Sequence, residues 1–355
     1  MLHNLETLLT WAVLFGILIF IHELGHFLAA KLFKFKVYEF AFGLPFGKKW
    51  RYWYDGETEY TVRAVLLGGF VGFAEAEADD ETREAQMAFF NAKPIWQRFL
   101  VILAGPVASF LLGWLAFVIL VAMQGVELPG SPKIKVFEGG AAATAGLRSN
   151  DVLVKIAGKP VNDFNGLVEQ VQSSEGKPVD VEVLREEKPL TLTVQPREQG
   201  AGKDKTYKIG VSLRPRTRPA QLGEVLGEAN RMTGTFLSEL KKLVGKPREL
   251  KKNVGGPVAI AGAVSEVVKL GWEDRILGLM GLMGQLSLSL YAANLFIPIP
   301  VFDGGQIVLL MIEAIRRKQL SKEHQMAVAL TGWALVLVLF VSITFNDILK
   351  LLGRG

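Results

Sequence analysis

The chain contains no cysteine, so disulfides and thiolate metal sites are excluded. Histidine is scarce as well, with only His3, His22, His26 and His324 among 355 residues. A three-histidine metal site would need a distant ring, which favours a carboxylate as third ligand. No Lys or Arg occurs from Met1 to Thr10, so the basic start of a secretory signal is missing. A large charge excess is also missing. The net charge of +5 is modest for this length, and the bases gather beside apolar segments. That distribution fits membrane topology and argues against a nucleic-acid partner. What the chain has in abundance is apolar residues, which make up half of it and give a positive mean hydropathy. This balance suits a membrane protein with a soluble portion.

One stretch organises the rest, His22-Glu23-Leu24-Gly25-His26. It lies inside a nearly unbroken apolar run from Leu8 to Ala30. In a helix the two histidines fall one turn apart on one face and can share one metal ion, usually zinc. Glu23 stands beside them, placed to take a proton from water. The motif is short and arises by chance elsewhere. Inside a membrane span each ionisable group costs roughly 2.5–3.5 kcal/mol on insertion scales, so an idle cluster is disfavoured. The competing reading is a helix end with snorkelling polar groups.

The first bases follow this run, at Lys31, Lys34 and Lys36. The run therefore reads as a retained span with its start outside and its far end in the cytoplasm. Phe35–Phe40 and Glu59–Phe73 have strand composition. Gly68-Gly69-Phe70-Val71-Gly72-Phe73 reads either as a strand or loop dipping towards the metal or as an ordinary hairpin. Extended backbone at membrane depth must be covered or paired, and a free edge there could grip an unfolded substrate by strand addition. The acidic run from Glu75 to Glu84 reads as a solvated loop. Phe99–Met123 holds 25 residues without a charge and is the clearest span, running outward. Gly105-Pro106 inside it predicts either a kink or close packing through small residues.

Residues 124–216 are polar, with period-two strands over Lys133–Phe137, Val152–Ile156, Val179–Leu184, Leu190–Gln195 and Tyr207–Leu213. Helices are expected over Ala141–Gly146 and Phe164–Ser173. The stretch from Gly140 to Leu153, followed by Ile156-Ala157-Gly158-Lys159-Pro160-Val161, resembles a PDZ domain of the bacterial protease type. Asn150 stands where that pattern has glycine before the aspartate, and an asparagine tolerates the left-handed turn. Such domains bind peptides as an added strand.

Residues 217–252 are amphipathic and basic, with Leu222, Val225, Leu226, Ala229, Met232 and Phe236 at helical spacing. This predicts a helix lying on a surface, or a gate beside the site. A break at Val254–Val258 leads into a short apolar stretch ending near Leu270. Ile276–Phe296 is a third span, ending in Asn294-Leu295-Phe296-Ile297-Pro298-Ile299-Pro300-Val301-Phe302-Asp303-Gly304-Gly305. The prolines stop the helix and stiffen an extended turn. Arg316, Arg317, Lys318 and Lys322 place this end on the same side as His22 and His26. Charge counting alone thus makes Asp303 the best third ligand; the alternative is an Asp capping a helix over Gln306–Ile315. Ala327–Phe345 is a fourth span, and His324 before it reads as a surface residue.

These pieces together resemble the site-2 protease family of intramembrane zinc metalloproteases. The chain's departure from the family pattern, Phe302 before Asp303, leaves the ligand intact. The resemblance implies zinc held by His22, His26 and Asp303, catalysis by Glu23, and Asn294 steadying the substrate or transition state. It maps the family's membrane-associated β-hairpin, and with it substrate binding, to Gly68, Gly69, Phe70, Val71, Gly72 and Phe73, beside Pro298 and Pro300. A single PDZ-like insert suggests a bacterial homologue with one such domain. The expected fold is a polytopic α-helical membrane protein of about four transmembrane helices, with an inserted α+β PDZ domain and a membrane-associated β-hairpin. The expected parts are 1–123, two spans and the β region; 124–216, an extracytoplasmic PDZ domain; 217–270, an amphipathic helix and re-entrant linker; and 271–355, the last two spans. Both termini are expected outside a bacterial inner membrane. Expected partners are the lipid bilayer and single-span membrane proteins already trimmed by a first protease, whose ectodomains meet the PDZ domain. Two rivals remain: a membrane-tethered PDZ scaffold without catalysis, and a metal transporter, which leaves Glu23 and the insert unexplained.

Overall fold

A computed structural model describes residues 2–43, 47–64, 68–73, 90–127, 131–137, 139–161, 164–199, 206–214, 217–244 and 256–351. The acidic run at Glu75–Glu84 and the bases Lys246, Arg248, Lys251 and Lys252 lie outside the described residues. The chain forms two compact units, Met1–Met123 with Val225–Gly355, and Gln124–Glu224.

In the first unit, the apolar run builds helix α1 (Leu2–Leu32). Lys34 in the left-handed region stops it, and the Phe35 N–H returns to the Ala30 carbonyl at 2.9 Å. Four strands follow: β1 (Val37–Phe42), β2 (Lys49–Tyr54), β3 (Glu59–Arg63) and β4 (Gly69–Phe73). They form one sheet in the order β2-β3-β1-β4, with β1 parallel to β3 and antiparallel to β4. The expected Glu59–Phe73 strand is thus two strands. The expected hairpin is corrected too: β4 pairs with β1 rather than with its predecessor β3, and forms a sheet edge. The reason is burial. This pairing packs Val71 and Phe73 against Phe35, Val37 and Val101. Beneath the sheet, the buried Glu39 carboxylate accepts both Arg63 Nε and Nη2 and the Thr61 hydroxyl. Arg63 in turn lies over the Phe70 ring of β4, 5.5 Å from its centroid.

Helix α2 (Ile95–Gln124) runs continuously through Pro106. Further on, the second unit contributes α3 (Ala141–Thr144) and α4 (Phe164–Ser173), and then come α5 (Leu222–Val244), α6 (Pro257–Val268), α7 (Trp272–Phe296), α8 (Asp303–Arg316) and α9 (Lys322–Leu351). Four helices are long and apolar enough to cross a membrane, over Leu5–Leu32, Ile95–Gln124, Trp272–Phe296 and Met326–Asp347. Leu14 and Leu18 of α1, Ala116 of α2 and Met283 of α7 share one core cluster. Phe117 and Leu120 of α2, Ala229 of α5 and Leu288 of α7 share another. The α9 span is only 6% buried, so its apolar surface needs lipid as partner.

In the second unit, a sheet runs β10 (Lys188–Val194), β9 (Val179–Arg185), β7 (Val152–Ile156), β6 (Lys133–Val136), β13 (Val211–Arg214), and β8 (Lys159–Pro160) joins β7. Short pairs link β5 (Val126–Glu127) to β14 (Thr217–Arg218) and β11 (Arg197–Gln199) to β12 (Thr206–Lys208). The expected Tyr207–Leu213 strand breaks at Gly210, whose φ of +77° lets its backbone pass Gly140. The expected helix at Ala141–Gly146 ends at Thr144, because Gly146 turns left-handed at φ +87°. Asn150 adopts φ +76°, the left-handed turn anticipated for it. The next residue, Asp151, is buried and accepts the Arg148 N–H and the Arg185 guanidinium fork.

Candidate metal centre

Helix α1 supplies His22 and His26, both buried. Their Nε2 atoms lie 3.3 Å apart, as one helical turn on one face dictates. Asp303 arrives from the other end of the chain. The prolines end α7, with Ile297 in an extended conformation, and a short turn closes with Phe302 N–H on the Ile299 carbonyl at 2.8 Å. The first turn of α8 is pressed against this turn. A Cβ on Gly304 would meet the Leu295 carbonyl carbon at 2.8 Å, and one on Gly305 would meet the Pro300 nitrogen at 2.5 Å. Only glycine fits either place. Pro298 and Pro300 thus shape the turn that presents Asp303. Asn294 sits half-buried in the last turn of α7.

Asp303 is the first residue of α8, and the helix start has no side-chain cap. Its carboxylate faces the imidazoles instead, with Oδ2 at 3.2 Å from His22 Nε2 and Oδ1 at 3.4 Å from His26 Nε2. The capping alternative therefore fails. The His26 Nδ1 contacts the Val101 carbonyl at 2.8 Å. A carbonyl only accepts, so Nδ1 carries the proton and Nε2 is the nitrogen turned to the cluster, the one that can offer its lone pair to a metal. His22 Nδ1 pairs with the Ser109 hydroxyl at 2.9 Å, and that hydroxyl can hold the same tautomer. The Asp303 Oδ2 is buried with no hydrogen-bond partner. Three potential ligand atoms thus converge on one point.

The spacing fits a metal. Tetrahedral zinc with bonds of about 2.05 Å keeps its ligand atoms roughly 3.3 Å apart. His22, His26 and Asp303 form the one group of three such side chains among the described residues. His324 is exposed and bonds Ser321, in keeping with a surface role.

Glu23 is the neighbour of His22 on α1, and its side chain packs against Gly69 of β4. A Cβ on Gly69 would meet Glu23 Cγ at 2.9 Å and the Ala41 carbonyl at 3.0 Å. On Gly72 it would strike the Tyr38 ring at 2.6 Å. Gly69 thus lets the edge strand lie against Glu23, and Gly72 lets it lie against the Tyr38 ring.

Sequence reasoning missed how α2 supports the histidines. Val101, Gly105 and Ser109 stand at intervals of four on one face of α2. Val101 and Ser109 hold the two rings, and a Cβ on Gly105 would stand 2.8 Å from His26 Cδ2. Gly25 does the same for the helix backbones, since a Cβ there would meet Ala108 Cβ at 2.7 Å. Ser287 of α7 donates to the Ser109 carbonyl at 2.7 Å. The small-residue spacing was the available signal.

Comparison with known proteins gives the chain its family. The profile of peptidase family M50 matches residues 10–339. The chain is 28% identical to the Regulator of sigma-W protease RasP of Bacillus subtilis, with 98% of this chain and 99% of that protein covered. It is 32% identical to the putative zinc metalloprotease CPE1693 of Clostridium perfringens, with coverage of 94% and 96%. It is 30% identical to the putative zinc metalloprotease FN1322 of Fusobacterium nucleatum, with coverage of 97% and 99%.

Proposed function

The chain belongs to peptidase family M50, the site-2 protease family, and from that premise we propose that it is a zinc metalloprotease cutting peptide bonds inside the bilayer. The observation that carries the reading is the buried triad of donors, Nε2, Nε2 and carboxylate, 3.2–3.4 Å apart within helices of membrane-crossing length. His22, His26 and Asp303 would hold the metal. Zinc so held lowers the pKa of water from 15.7 to about 7 and polarises a carbonyl.

The remaining steps belong to the chain. Glu23 takes the proton of the attacking water and passes it to the leaving amine. Asn294 steadies the carbonyl oxygen as it gains charge. A helical substrate hides its carbonyls, so it must unwind before it can be cut. The free edge of β4, residues Gly69–Phe73, pairs with the unwound segment and leads it past Glu23. Pro298 and Pro300 border the same path. The substrates are single-span membrane proteins already trimmed by another protease. The Gln124–Glu224 unit is a PDZ domain, extracytoplasmic with both termini, that screens ectodomain size. The setting is a bacterial cytoplasmic membrane. A scaffold without catalysis gives no reason for bare donors converging beside a carboxylate.

The test is cleavage of a single-span reporter in liposomes by the wild type and by Glu23→Gln, with zinc measured on both. The expected result is cleavage by the wild type only, with equal zinc. A mutant that cleaves as well as the wild type overturns the role of Glu23. A zinc-loaded wild type that cuts nothing across a panel of trimmed substrates overturns the protease reading.

A further inference from the structure

The buried pair of Arg98 and Glu313 takes no part in the chemistry proposed above. Arg98 stands in the first turn of α2, and Glu313 near the end of α8, ten residues after Asp303. They are 6% and 5% exposed, and Arg98 Nη1 donates to Glu313 Oε2 at 2.9 Å. Taking two charges out of water is costly, and a buried ion pair is often no more stabilising than well-packed apolar residues of similar volume. Folding stability is therefore a poor reason for the pair. What such a pair supplies is register, a bond of fixed length between two elements that apolar contacts alone would let slide.

Both partners sit on elements that serve the metal centre. Arg98 shares a face of α2 with the residues that seat the imidazoles: Val101, Gly105 and Ser109 follow it by three, seven and eleven positions, and all four are buried. On α8, the buried Leu310 and Glu313 fall within about 80° of Asp303 around the helix axis. The far end of α8 is tied down further. Glu313 Oε1 accepts the Leu320 N–H at 3.2 Å, which joins the carboxylate to the turn between α8 and α9. In that turn Gln319 Nε2 donates to the Asn91 carbonyl at 2.6 Å, just ahead of α2.

The lengths agree. From Arg98 the supports of the imidazoles lie about 4.5 to 16.5 Å along α2, and from Glu313 back to Asp303 is about 15 Å along α8. With the pair closed, the Asp303 carboxylate stands 3.2 Å from His22 Nε2 and 3.4 Å from His26 Nε2. A slip of one residue along α8 would carry Asp303 about 1.5 Å, against the roughly 0.2 Å that zinc bond lengths allow. We propose that Arg98 and Glu313 are positioning residues, whose bond sets how deep Asp303 stands against His22 and His26 and so how tightly the three hold a metal. This role presupposes the reading of that cluster as a metal centre.

The full-length protein in detergent is assayed for zinc retention against graded chelator, for the visible spectrum of its cobalt form, and for thermal unfolding on the same samples. Two variants separate position from stability. Arg98→Met/Glu313→Leu replaces the pair with apolar side chains. It is expected to unfold near the wild-type temperature, yet to bind zinc about 10-fold more weakly and to shift the cobalt spectrum. Glu313→Gln keeps the length and an acceptor oxygen for Arg98 but leaves the buried cation uncompensated. It is expected to unfold earlier, yet to hold zinc within about twofold of the wild type. A pair that serves stability alone gives the reverse order. Zinc loss that follows unfolding temperature across the two variants overturns the positioning role. Wild-type zinc affinity with an unshifted cobalt spectrum in the double variant overturns it as well. A wild type that takes up neither metal overturns the metal centre itself and this role with it, a failure seen before any variant is compared.

Discussion

Gly105→Ala removes no ligand, no hydrogen bond and no charge, yet it should empty the metal centre. The added Cβ would stand 2.8 Å from His26 Cδ2 and closer still to Cε1 and Nε2. Ordinary contact needs roughly 3.5 Å, so the ring must retreat by at least about 0.7 Å. The ring has little freedom to do so, because Nδ1 is tied to Val101 on the same helix as the intruding methyl. Zinc sites hold their bond lengths to about 0.2 Å, so such a retreat exceeds what the site tolerates. Loss of one supporting contact typically costs 10- to 100-fold in affinity, and displacing the ligand itself should reach the upper figure. Overpacking adds about 1–3 kcal/mol of destabilisation. The assay is zinc retention against graded chelator, with thermal unfolding in detergent recorded on the same samples. Gly113→Ala is the matched control, for its Cβ would meet Leu288 Cγ at 2.8 Å away from the centre. It should lose comparable stability and keep its zinc. A Gly105→Ala retention curve that overlays the wild type, or equal zinc loss in both variants, would refute the reasoning.

Gly69→Ala crowds Glu23 Cγ at 2.9 Å, and should lower reporter turnover by about 10- to 100-fold while zinc content stays full; simultaneous loss of zinc would show that the strand supports the ligands rather than the base. Glu313→Leu leaves Arg98 buried without its carboxylate, which should cost about 3–5 kcal/mol, and adding Arg98→Met should recover most of it. Thermal unfolding in detergent decides this, and a double variant as unstable as the single one contradicts it. In the second unit, burial raises the Asp151 pKa, but the Arg185 fork and the Arg148 N–H outweigh it and hold the carboxyl below its usual 3.8. A carboxyl depressed on folding contributes stability that is complete above the unfolded value and is lost as pH falls through the folded one. Amide exchange of β7 and β9 in the full chain should therefore lose protection below about pH 4. Asp151→Asn should start lower and respond less to acid; an unchanged acid response would sink the argument.

The candidate metal-binding cluster was legible because an apolar run makes every ionisable group conspicuous. His22, Glu23 and His26 stand out against their span, and charge counting after two different spans pointed to Asp303, whose carboxylate lies 3.2 Å from His22 Nε2. The supports of those ligands were not legible for the converse reason. Gly105 and Ser109 are small, uncharged residues in an uncharged helix, and they look the same whether they seat an imidazole or a leucine. Span positions followed from hydropathy, with helix ends shifted by a few residues. The sheet beside α1 was read only in part. Strand composition marks Gly69–Phe73 but does not choose its partner, and β1 lies across more than twenty intervening residues. Glu39 in a strand reads as a solvent-facing residue, whereas Arg63 and Thr61 draw it inside. Gly210 was read through because a glycine within a strand pattern shows no sign of turning left-handed until Gly140 is placed against it.

Asp303 follows His26 by 277 positions, and everything between them is made first. At synthesis rates of about 5–20 residues per second, a growing chain holds its two imidazoles in the bilayer for roughly 14–55 s before the carboxylate exists. During that interval two of the three donors are present and α8, which orients the third, is not. On the proposed reading of the site, a nascent chain lacks its third donor until Asp303 is made. The third donor then arrives on a chain of which only the last 52 residues remain to be made.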